Sequence, residues 1–69
     1  MSGDQQAFHT AMNQGHSAAW DQKWSEAANF YQLALEEFPN DPMALISLGL
    51  SYLEMQDYEG ALSQYQKAC

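Results

Sequence analysis

His9, Met12 and His16 are spaced at i, i+3 and i+7 near the start of the chain. Imidazole and thioether groups are ligands for soft copper, and on a helix these positions share one face. A rise of 1.5 Å per residue sets His9 and His16 about 10 Å apart along the axis, too far for one ion to reach both. They read as surface histidines, and no metal site is expected. Glu36 and Glu37 are adjacent, so they point in different directions, and they fall near a helix C-terminus where negative charge is unfavourable. Both read as solvated. No serine, cysteine and histidine cluster suggests a nucleophile. Cys69 ends the chain with Lys67 as its only basic neighbour, and no glycine-rich loop could cradle a phosphate. The expectation is a non-catalytic protein with no cofactor and no small-molecule substrate.

The composition narrows the partners. Nine acidic residues stand against Lys23 and Lys67, with no arginine, for a net charge of −7. Such a chain repels nucleic acid and anionic membrane surfaces and cannot make bidentate phosphate contacts. Its acidity suits either a basic partner or simply a soluble surface. Its longest apolar stretch, Met43 to Met55, covers 13 residues and is interrupted by Ser47, Ser51 and Glu54. About 20 would be needed to span a bilayer. No basic segment precedes a long apolar run, so no signal peptide is read. A lone cysteine points to a reducing, cytoplasmic compartment. At 69 residues the chain is one small domain or part of one. Domains of that size bury only about 60% of their unfolded surface, so stability is expected to be marginal.

The elements that position these residues read as helices throughout. Both prolines lie in "FPNDP", where Pro39 stops one helix and Asp41-Pro42 caps and opens the next. Downstream, Leu45, Leu48, Gly49, Tyr52 and Met55 form one helical face, and Met43, Ile46, Leu50 and Leu53 a second stripe beside it. Upstream, Ala27, Phe30, Tyr31, Ala34, Leu35 and Phe38 make an amphipathic helix beginning near Ser25. The last helix uses Ala61, Leu62, Tyr65, Ala68 and Cys69. The first runs from about Asp4 to Trp20, with Ser2 and Gln5 spaced for a capping box. "WDQKW" and "MQDYE" are short enough only for tight turns between helices.

Gly49, inside the third helix, costs roughly 1 kcal/mol against alanine and so demands a reason. Offsetting the sequence by 34 residues supplies one. Gly15 falls on Gly49, Ser17 on Ser51, Gln22 on Gln56, Ala27 on Ala61, Tyr31 on Tyr65, Gln32 on Gln66 and Ala34 on Ala68, seven identities in 28 aligned pairs. Trp24 meets Tyr58. A helix–turn–helix unit repeating every 34 residues, with Leu48, Gly49 and Tyr52 followed by Ala61, Tyr65 and Ala68, resembles the tetratricopeptide repeat family. The first unit keeps Gly15, Trp24, Ala27, Tyr31, Ala34 and Pro39, and departs at Gln14 and Ala18. The small residues then let paired helices approach closely, with Tyr52, Trp24 and Tyr58 expected to fill the space around them.

The resemblance implies an all-α fold: two antiparallel helix–turn–helix units stacked as a short right-handed α-solenoid. Unit 1 spans 8–41 after a helix extension at 1–7, and unit 2 spans 42–69 and is incomplete. The period carries unit 2 about six residues past Cys69, so the chain reads as the start of a longer protein. In that family the first helix of each unit lines a concave groove. Here the resemblance places His9, Met12, His16 and Trp20 in the groove with Met43, Ile46, Leu50 and Leu53, and Ser47 beside them. One form of the groove holds a terminal carboxylate with basic and amide side chains. Met12, His16, Ile46 and Leu50 stand where those would be needed, so capture of chaperone tails is not expected. The implied function is a protein–protein interaction module whose apolar, methionine-containing groove takes a peptide or helix. The alternative is self-assembly into a homo-oligomer, through the groove or through Leu62, Tyr65 and Cys69 on the open face of the last helix.

Overall fold

The computed structural model describes residues 3–68. It contains four helices: α1 (Gln5–Trp20), α2 (Trp24–Glu37), α3 (Pro42–Glu54) and α4 (Tyr58–Ala68). Among the described residues there is no strand, and no helix is long and apolar enough to cross a membrane. α1 packs on α2, α2 on α3 and α3 on α4, giving two helical hairpins side by side.

Local chemistry sets three of the four helix starts. Asp4 caps α1, its Oδ1 accepting the N–H groups of Gln6 and Ala7 at 3.0 and 3.1 Å. The expected box from Ser2 lies outside the described residues. Asp41 caps α3 through Oδ2 and the Ala44 N–H at 3.0 Å, with Pro42 in the first turn as expected. Asp57 does the same for α4 through the Gly60 N–H. α2 begins at Trp24, next to Ser25 as expected, and its capping residue, Lys23, makes no side-chain cap bond. Both hairpin turns use a residue in the left-handed region, Gln22 at φ 62° and Gln56 at φ 64°. These two glutamines are one repeat apart, so the units share a turn geometry as well as a sequence pattern.

The core is built of small residues around Met12, Tyr31, Leu45 and Leu48. Ala27, Ala34 and Ala44 are fully buried, with Leu45, Leu48 and Ala61 nearly so. The glycines have a more specific role than helix proximity alone. A Cβ on Gly15 would stand 2.5 Å from the Tyr31 ring, and one on Gly49 would stand 2.8 Å from the Tyr65 ring. Each hairpin therefore seats a tyrosine of its second helix on a glycine of its first. The aromatics expected to fill the gaps do less: Tyr58 is 62% exposed, while Trp24 and Tyr52 are half-buried. Tyr52 instead joins the units, its hydroxyl accepting from Gln32 Nε2 at 2.7 Å.

Glu37 corrects the reading that both glutamates are merely solvated. Its carbonyl accepts the Gly3 N–H at 2.8 Å and its carboxylate the Asp4 N–H at 3.1 Å. The negative charge at the end of α2 thus faces the start of α1, where the helix dipole favours it. Glu36 is exposed.

Candidate functional site

Where α1 and α3 flank α2, a concavity of about 390 Å³ opens at the surface. α1 contributes His16, Ala19 and Trp20, α2 contributes Trp24 and Tyr31, and α3 contributes Ser47, Leu50 and Ser51. None of these residues is a lysine, arginine, aspartate or glutamate, so the wall is apolar with a few hydroxyls.

The floor is firmly held. Tyr31 is 3% exposed, its ring against Gly15 and its hydroxyl hydrogen-bonded to His16 Nδ1 at 2.8 Å. Burial pushes the Tyr31 phenol above its usual range, which keeps it neutral and able to donate. The His16 ring meets Tyr31 edge-on at 5.4 Å between centroids. Ser51 is also buried, and its hydroxyl donates to the Ser47 carbonyl one turn back at 3.1 Å. The rim is open by contrast. Trp20 is 88% exposed, an unusual position for a large indole with no neighbour covering it.

Of the groove residues expected from sequence, the structure brings together His16, Trp20 and Leu50, with Ser47. Met43, Ile46 and Leu53 lie outside the concavity but continue from it. At i, i+3, i+7 and i+10 with Leu50, they form one exposed stripe along α3, between 40% and 64% exposed. Met12 is not at the surface: it is 4% exposed and belongs to the core between α1 and its neighbours. His9 is exposed but packs on Phe8 and lines a separate shallow depression with Gln5, Phe38 and Asp41. No group of three or more histidine, cysteine, aspartate or glutamate side chains that could hold a metal occurs among the described residues. Trp24 and Tyr31 were not expected in the groove, because their spacing marks them as packing residues. They reach it because α2 runs beneath the gap between α1 and α3.

The second expected surface is narrower than its sequence stripe. Leu62 is 57% exposed, but Tyr65 is half-buried with its ring turned onto Gly49, and Cys69 lies outside the described residues. Tyr58 joins Leu62 on the open face of α4, one turn away.

Residues 43–69, which comprise α3 and α4, match the family model of the tetratricopeptide repeat. No curated protein and no solved structure matches the chain.

Proposed function

We propose that this chain, which carries a tetratricopeptide repeat over residues 43–69, is a non-catalytic protein–protein interaction module that holds an apolar partner segment on the concave side of its first and third helices. The observation that carries this reading is the continuity of Trp20, Leu50 and the exposed Met43, Ile46 and Leu53 stripe, an apolar surface with no charge in its wall. Exposed apolar surface of this kind is the mark of an interaction site, and an amphipathic helix or extended hydrophobic segment fits it. The units meant are 8–41 and 42–69, and the groove is read as formed jointly by both. Binding of an uncharged apolar helical peptide tests it. The double substitution Ile46→Asp, Leu50→Asp should abolish binding, and the wild-type affinity should change little with salt. Unchanged affinity in the folded double variant removes the groove.

A second reading rests on α4. Tyr58 and Leu62 stay uncovered there, whereas Ala28, the residue one repeat before Leu62, is buried. This favours self-association of two copies through the α4 face, with the groove left free or unused.

A further inference from the structure

The hydrogen bonds already made in the concavity fix where its protons sit. Tyr31 is buried and stays a neutral phenol, so its O–H needs an acceptor. His16 Nδ1, at 2.8 Å, is the one acceptor it has among the described residues. Nδ1 is therefore bare, and the proton of the neutral imidazole sits on Nε2. The two ring nitrogens face different ways, so Nε2–H points away from Tyr31, and His16 itself is exposed. Across the gap on α3, Ser51 donates its proton to the Ser47 carbonyl, whereas the Ser47 hydroxyl makes no hydrogen bond to the described residues. The indole N–H groups of Trp20 and Trp24 are donors only. No carboxylate, amide, ammonium or guanidinium side chain lines the wall. The site is thus uncharged, with more donors open than acceptors to meet them.

Resting on the groove reading above, we infer that the partner segment carries an uncharged hydrogen-bond acceptor, the side-chain carbonyl of a glutamine or asparagine, which takes the His16 Nε2–H while its apolar neighbours meet Leu50 and the α3 stripe. A purely apolar segment covers Nε2–H and leaves it unpaired, which is unfavourable. A carboxylate also accepts, but no cation lines the wall to offset the burial of its charge. Tyr31 is the positioning residue, holding the imidazole in the tautomer that donates outward. The acceptor thus sets which apolar segments are taken.

The test uses two apolar helical peptides identical but for one residue, glutamine in one and norleucine, its apolar counterpart of similar length, in the other. Because both tryptophans of the chain line the groove, intrinsic fluorescence reads occupancy directly. A groove that is merely apolar favours norleucine, so the sign of the preference decides. The glutamine peptide should bind about 2- to 10-fold more tightly, the range of one net hydrogen bond. In His16→Leu the preference should reverse. NMR of the imidazole nitrogens in the wild type at about pH 8, above the ordinary histidine range, should find the proton on Nε2 and that signal moving when the glutamine peptide binds. This measurement needs no variant and stands if His16→Leu does not fold. Equal or tighter binding of the norleucine peptide overturns this inference and leaves the groove standing. So does a glutamine preference that persists in folded His16→Leu, or a proton found on Nδ1. Binding of neither peptide overturns the groove and the acceptor together.

Discussion

Tyr31 and Tyr65 each lay a ring over a glycine of the preceding helix, and this pairing accounts for Gly15 and Gly49, which helix propensity alone would disfavour. Gly49→Leu should therefore cost about 1–3 kcal/mol through overpacking, and Gly15→Leu more. Tyr31 is the more deeply buried ring and is tied to His16, whereas Tyr65 is half-buried on the last helix and has room to swing. Urea denaturation of the two variants beside wild type checks the order. Gln56→Leu keeps a side chain at the same left-handed φ of 64° and should change stability by less than about 0.5 kcal/mol. Gln22→Gly and Gln56→Gly remove that conformational cost and should each raise stability by about 1 kcal/mol, seen as a higher melting temperature. Tyr31 also predicts an alkaline limit. Burial raises its phenol pKa in the folded state, so folding favours the protonated form. The unfolded chain then binds fewer protons above its own tyrosine pKa of about 10, and stability should fall as pH rises beyond it. In Tyr31→Phe that alkaline slope should flatten.

At the scale of elements, the helix starts differ in quality, and the difference is testable. α1, α3 and α4 each have an aspartate cap, while α2 has Lys23 with no side-chain bond. Glu26 already sits three residues after Lys23, so Lys23→Ser completes a capping box and should add about 1 kcal/mol, whereas Asp57→Ala should lose about as much. Thermal melts by circular dichroism separate the two. The helices themselves were legible because "FPNDP" punctuates the chain and the apolar spacing is regular on either side. The 34-residue offset made the pairing of units legible, down to the shared turn glutamines. Side-chain direction was less so. His9, Met12 and His16 share a sequence spacing, yet Met12 is buried in the core, and His9 packs on Phe8. Trp24 and Tyr31 carry the spacing of core residues, and only the passage of α2 under the gap gives them a second face in the groove. Spacing assigns a residue to a stripe; it does not say where a neighbouring helix leaves that stripe uncovered.

The whole molecule presents two apolar surfaces that compete as its working face. α2 is packed between α1 and α3, while α4 is packed on α3, so equivalent positions of the two units meet different surroundings. Ala28 is buried and Leu62 is 57% exposed for that reason. Self-association through α4 predicts a mass above 7.8 kDa at high concentration in sedimentation equilibrium with reductant, restored to 7.8 kDa by Leu62→Asp. The central claim, that the groove between α1 and α3 is the binding surface, is tested most directly by an NMR titration of backbone amides with an apolar helical peptide. Shifts should concentrate at His16, Trp20, Trp24, Ser47, Leu50 and Ser51, saturating together. Shifts confined to Tyr58 and Leu62 on α4, with the groove amides unmoved, would contradict it.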